Sequence, residues 1–142
     1  MPFKSNTFDF IIFSEIFEHL RIDLISAMRE INRVLKPKGI LMLTTPNLYS
    51  LPKIIMFNLG RGFNNPYHEF EKLNRLGHMG HIREYSTREV KQFLNNTGFR
   101  ALETKYESYD KVNKRFIGPI INFIPKIISR LRSHQIIISE KT

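Results

Sequence analysis

Glu15, Glu18 and His19 lie close together in the run Ser14-Glu15-Ile16-Phe17-Glu18-His19-Leu20, with Glu18 and His19 three and four positions after Glu15. If a helical turn begins there, their side chains come onto one side of it. Imidazole is the side chain that titrates nearest neutrality, and carboxylates and imidazoles both ligate divalent ions, so the run is a place for proton transfer or metal binding. Asn47, in Thr45-Pro46-Asn47, carries an amide that either holds a substrate or closes an Asx turn. His78 and His81 form an i, i+3 pair, but Gly77 and Gly80 argue against the helix that would make the pair a metal site. The 142 residues include no cysteine, which excludes a disulfide scaffold and a zinc–thiolate centre.

The elements that position these residues follow from the hydrophobic pattern. Residues 8–13 (FDFIIF) are rich in aromatic and β-branched side chains without alternation, which predicts a central strand covered on both faces in a parallel sheet. From Asp23, the apolar residues Leu24, Ala27, Met28, Ile31, Val34 and Leu35 recur at helical spacing, with Arg29 and Arg33 opposite. Pro37-Lys38-Gly39 ends that helix, with Gly39 expected to take the positive φ of the turn, and residues 40–45 read as a second strand. Ligands of open α/β sheets bind beyond the carboxyl ends of strands, which puts Ser14, Glu15 and Ile16 after the first strand and Asn47 after the second at the ligand side.

Residues 48–85 scatter Gly and Pro among aromatics and read as a substrate or lid loop with one helix near residues 53–59. Ser86-Thr87-Arg88-Glu89 is a capping box opening a helix through Asn96, closed by Gly98, and a third strand follows over Phe99–Glu107. A hydrophobic helix over residues 117–131, interrupted at Pro119 and Pro125, precedes a last strand at 134–139. No internal repeat or linker divides the chain, so one domain is expected: 1–47 as strand–helix–strand core, 48–85 as loop and 86–142 as the closing helices and strands.

The net charge is +9, and the surplus lies in residues 52–142. Such an excess draws any anionic partner and by itself reads as a solubilising surface; nucleic acid and membrane surfaces are not favoured partners. The longest uncharged apolar run, residues 116–125, has two prolines and is too short for a bilayer, which takes about 20 residues. With no secretory leader, a cytoplasmic location is expected. Ile121, Ile124, Ile127, Ile128 and Leu131 with Lys126, Arg130 and Arg132 suit either an interfacial helix or one packed on the sheet, and packing on the sheet is the reading taken here.

Five pieces in order resemble the second half of a class I S-adenosylmethionine-dependent methyltransferase of the type 11 or type 12 kind. They are Pro2-Phe3 with Phe8-Asp9, the Ser14–Leu20 run, Arg33-Val34-Leu35-Lys36-Pro37-Lys38-Gly39, Thr45-Pro46-Asn47, and His81-Ile82-Arg83-Glu84-Tyr85. The resemblance implies an α/β fold: a partial, doubly wound, Rossmann-like sheet in which residues 8–13 are the fourth strand and 40–45 the fifth. The family's first three strands, with the Gly-rich loop and the ribose-binding carboxylate, have no counterpart here.

It further implies S-adenosylmethionine as cofactor, contacted by Ser14, Glu15 and Ile16, with His19 or His81 as general base and Asn47 toward the methyl acceptor. Glu15, Glu18, His19 and His81 also resemble the metal tetrad of the small-RNA 3′-end 2′-O-methyltransferases, although no metal is expected. The chain alone is expected to be inactive. Its expected partner is an N-terminal methyltransferase fragment, or a second copy pairing through the edge at residues 8–13. The rival reading is a non-enzymatic basic binding or assembly subunit built on the half-fold.

Overall fold

Asp23 starts the first helix by adopting φ 63, a conformation Asp tolerates, and accepting a hydrogen bond from the Ser26 N–H at 2.9 Å. Helix α1 (Leu24–Val34) buries Met28, Ile31 and Val34, the stripe that its sequence spacing predicts. The computed structural model describes residues 1–20, 22–62, 64–77, 80–81, 83–108 and 118–142, the side chain of Ile120 excepted. His78 and Ile117 lie outside the described residues.

Among the described residues four strands form one mixed sheet: β1 (Phe8–Ser14), β2 (Leu35–Pro46), β3 (Phe99–Glu107) and β4 (His134–Lys141), in the order β1-β2-β4-β3. β1 and β2 are parallel, joined through α1, while β4 runs antiparallel to both β2 and β3. The register sets Phe13 beside Leu43 and Leu43 beside Ile137 on one face. There they join Phe17, Met28, Ile31, Leu41, Val90, Leu94 and Phe99 in a single core beneath α1 and α4 (Thr87–Asn96).

The opposite face is open. Phe10 and Ile12, which share it with Ile40, Met42 and Ile138, are 50% and 58% exposed. This corrects the expectation of a central strand covered on both sides: among the described residues β1 pairs only with β2, so it is an edge, and only one of its faces is covered. A run without alternation signals apolar surface on both faces, but it does not reveal whether the second face is covered within the same chain.

The turn before β2 also differs. Lys38, not Gly39, takes the positive φ, at 61°. Gly39 is required by close approach, because a Cβ there would stand 2.8 Å from the Lys36 carbonyl oxygen. The strand itself begins at Leu35 and shifts register between Phe8 and Phe10 to accommodate the Pro37–Gly39 excursion.

Between β2 and α4 lie two helices, α2 (Leu51–Asn58) and α3 (Pro66–Leu76), where one was expected. Helix α3 carries ordinary boundary signals: Asn65 caps it, Pro66 opens it, and Gly77 at φ 73 ends it. The capping box at Ser86 and Glu89 forms as predicted, with Glu89 Oε2 accepting from the Ser86 N–H at 2.8 Å. Helix α5 (Gly118–Ile127) lies against α2 and the short 3₁₀ turn at Ser129–Leu131, with Ile121 and Pro125 buried.

Candidate active site at the strand ends

Just beyond β1 the chain reverses at Glu15, whose φ of 52 separates it from the helical turn that follows. In that turn the His19 N–H donates to the Ile16 carbonyl at 2.9 Å, and fully buried Phe17 packs edge-on to Tyr85 and Phe93 at ring distances of 4.8 and 5.4 Å. Anchoring Phe17 in the core fixes the directions of its neighbours. Glu18 turns inward and is buried, and His19 stands above it, half-exposed.

Glu15 leaves this group. Its Oε1 accepts from Thr44 Oγ1 at 2.8 Å, Ser14 Oγ lies 2.7 Å from the same Thr44 hydroxyl, and His134 Nε2 is 3.6 Å from Glu15 Oε2. The predicted single face of Glu15, Glu18 and His19 is therefore divided by the positive-φ residue. Glu15 with Ser14 faces the end of β2, and Glu18 with His19 faces the loop at residues 80–84.

That loop brings His81 to them. The His19 and His81 rings meet edge-on at 4.9 Å, and His19 Nδ1 lies 3.2 Å from the Gly80 carbonyl oxygen. Glu69, from α3, holds the loop in place by accepting from the Gly80 N–H at 2.7 Å. His81 Nδ1 is 3.1 Å from Glu84 Oε1, and Glu84 Oε2 is paired with Lys53 of α2.

Burial alone would raise the carboxyl of Glu84, but the hydrogen bonds from His81 and Lys53 outweigh it and hold the group below the usual glutamate range. The same bond raises the imidazole of His81, by favouring its charged form. Glu18 shifts upward because it is buried. Its Oε2 accepts from Thr45 Oγ1 at 2.8 Å, whereas Oε1 has no hydrogen-bond partner among the described residues and lies 3.9 Å from His19 Nε2 and 4.0 Å from His81 Nε2. Glu18, His19 and His81 present ligand atoms within 4.8 Å of one another.

A cavity of about 780 Å³ opens beside this cluster, lined by Lys53, Met56, His81, Glu84, Ile121 and Pro125 among others. Asn47 is buried below it with its amide engaged inside the fold. Its Nδ2 donates to the Arg130 and Arg132 carbonyls, each at 2.9 Å, and its Oδ1 accepts from the Tyr49 N–H at 3.0 Å. It ties β2 to the 3₁₀ turn instead of reaching into the cavity. Glu84 and Lys53 are the site residues that sequence reasoning missed. Glu84 stands three residues from His81 in the run His81-Ile82-Arg83-Glu84-Tyr85, while nothing in the sequence links Lys53 to it.

The parallel β1–α1–β2 unit followed by an antiparallel final strand, with ionisable groups gathered at the carboxyl ends of β1 and β2, defines a class I methyltransferase fold. The family model for a methyltransferase domain matches residues 2–104, and the chain belongs to that family. Its curated relatives include two uncharacterized proteins of Methanocaldococcus jannaschii. MJ0638 is 39% identical over 66 residues and MJ1252 is 32% identical over 115, matches that span 28% and 44% of those proteins.

Among solved structures, a SAM-dependent methyltransferase from Archaeoglobus fulgidus aligns with 96% of this chain and 61% of its own, at 19% identity and a TM-score of 0.57. A chain of the Haloferax volcanii complex between the Trm112 methyltransferase activator and a methyltransferase aligns at 14% identity and a TM-score of 0.60, covering 99% of this chain and 57% of that one. The chain thus spans less than two thirds of the proteins it matches.

Proposed function

We propose that this chain is the acceptor-side part of an S-adenosylmethionine-dependent methyltransferase, with His81 as general base. The observation that carries the reading is the His81–Glu84 pair, a carboxylate-oriented imidazole at the mouth of a cavity beside the carboxyl end of β1. The donor set at that strand end suits a nucleoside cofactor. Ser14 offers an exposed hydroxyl, Ile16 an exposed apolar side chain and Glu15 a part-exposed carboxylate. When bound, the cofactor supplies an electrophilic methyl on a sulfonium.

The chain's own residues then have three tasks. The cavity walls align an acceptor, since displacement at carbon needs in-line placement above all. His81 Nε2 takes the proton of a hydroxyl or amine acceptor, and Glu84, fixed by Lys53, holds the ring in orientation and stabilises the imidazolium that results. His19 packs on the His81 ring and restricts its rotation.

The nucleotide-binding remainder of the fold is supplied by a further methyltransferase segment that pairs with the free edge of β1 and covers Phe10 and Ile12. Support comes from the exposed apolar face and from the part of each matched structure that has no counterpart in this chain. Calorimetry with the 142-residue chain tests this: S-adenosylmethionine should bind more weakly than about 10 μM, because half a pocket does not supply the roughly 7 kcal/mol which that constant requires. Tighter binding would contradict the split of the site. Failure to bind even with a complementing segment would support the basic assembly subunit instead.

A second reading rests on the unpartnered Oε1 of Glu18, which together with His19 and His81 would hold a divalent cation. Thermal unfolding with Mg²⁺ or Mn²⁺ separates the two. The base reading predicts no rise in Tm, and a rise abolished by His19→Ala would establish the metal reading.

A further inference from the structure

Helices α2 and α5 are the most apolar of the described helices, yet each leaves bulky apolar side chains exposed. Helix α2 has no fully buried residue, and α5 buries Ile121 while Phe123 and Ile127, one turn apart on its outer side, stand 59% and 71% exposed. Ile128 follows α5, and Phe57 and Leu59 end α2, all exposed. The two helices pack on each other and wall the cavity with Met56, Ile121 and Pro125.

Within the two segments the charges have one sign, Lys53 being paired with Glu84 and Arg132 lying near Glu107 from outside them. Residues 48–62 and 118–133 contain Lys53, Arg61, Lys126, Arg130 and Arg132 and no Asp or Glu, and of these Arg61, Lys126 and Arg130 are exposed. Bulky apolar tips set among cations, with no carboxylate in either segment, have the character of an interfacial helix. A second copy docking by the same face would bring one set of cations against another with no carboxylate from either segment between them, since a two-fold contact pairs the same patch with itself. An anionic bilayer accommodates both features, taking the apolar tips into the headgroup–acyl boundary and the cations against lipid phosphates.

We propose that the α2–α5 face docks on an anionic lipid membrane, with Phe123 and Ile127 inserted and Lys126 and Arg130 at the headgroups. The proposal goes beyond methyl transfer and does not rest on it. It places the cavity that Met56, Ile121 and Pro125 help to wall on the membrane side of the chain.

Flotation of the 142-residue chain with vesicles of pure phosphatidylcholine, and with about 30% phosphatidylglycerol added, tests it without reference to activity. Partitioning should be at least about tenfold stronger on the anionic vesicles and should weaken as salt rises. Phe123→Glu with Ile127→Glu should lower it about tenfold or more with an unchanged circular dichroism spectrum. Lys126→Glu with Arg130→Glu, at exposed positions, should remove the preference for anionic lipid. Equal partitioning on the two vesicles, or no flotation, would overturn the proposal. So would loss of binding in Ile12→Lys, which would move the contact to the open sheet face. An α5 variant that disperses an oligomer in sedimentation without changing flotation would assign the face to a second copy.

Discussion

His81 Nδ1 lies 3.1 Å from Glu84 Oε1, and this bond raises the imidazole while helping to hold the carboxyl below its usual range. The pair has a defined pH signature. The raised His81 contributes stability in full below the unfolded value near 6.5, and that contribution is lost as pH rises through the folded value above it. The lowered Glu84 contributes above its unfolded value of 4.5, and its share is lost as pH falls through the folded value below that. NMR titration of the His81 ring should therefore show a midpoint above 6.5 that moves down in Glu84→Gln. In the assembled enzyme the acid limb of the rate profile should move down with it, and His81→Ala should cost on the order of 10²–10⁴ in kcat.

Lys53 shields the other oxygen of Glu84, and both groups are largely buried. Lys53→Met leaves that carboxylate with His81 alone, and removing one member of a buried pair costs about 3 kcal/mol. Urea unfolding at pH 7 should show the loss as a lower midpoint with an unchanged slope, and Lys53→Arg should recover part of it.

Glu18 shifts the opposite way from Glu84. Its carboxyl is raised by burial, so its charged form opposes folding above that raised value. Glu18→Gln should raise Tm by about 3 °C at pH 7–8, a change expected from about 1 kcal/mol in a domain of this size. The gain should vanish near pH 4, where the native Glu18 is itself protonated. A lower Tm for the variant at pH 8 would show that the Glu18 carboxylate is compensated by a group at the site.

Asn47 closes the Asx turn that its sequence position allows, Oδ1 accepting from the Tyr49 N–H, while Nδ2 ties the end of β2 to the Arg130 and Arg132 carbonyls at the 3₁₀ turn. Asn47→Ala should destabilise the chain by about 2–3 kcal/mol, since it leaves buried carbonyl and amide groups unpaired. An activity loss without a stability loss would restore the substrate role.

The strand–helix–strand unit was legible because its information is local: Asp23 caps α1, the apolar stripe recurs at helical spacing, and Ser86 and Glu89 form a box within four residues. What could not be read depends on contacts between distant segments. The edge at residues 8–13 follows from the missing strands of the resemblance, whereas the antiparallel entry of β4 is set by tertiary packing. Grouping Glu15 with Glu18 and His19 failed at one backbone dihedral, the φ of 52 at Glu15, which carries no sequence signal because the residue is not glycine. Lys53 reaches Glu84 across 31 positions, a pairing that side-chain spacing does not encode.

The free edge and face of β1 predict self-association of the isolated chain. Phe10 and Ile12 expose apolar surface next to an unpaired row of backbone groups, and only Asp9 interrupts the run with charge. Sedimentation velocity over a concentration series should show reversible oligomers, and Ile12→Lys should shift the distribution to monomer.

If the carboxyl end of β1 faces the cofactor and the acceptor cavity lies beyond His81, titrating ¹⁵N-labelled chain with S-adenosylhomocysteine should give amide shifts centred on Ser14, Glu15 and Ile16, extending to Thr44, with a Kd weaker than about 10 μM. Shifts centred on the α2–α5 cavity with Ser14, Glu15 and Ile16 unmoved, or saturation below that concentration, would contradict that placement.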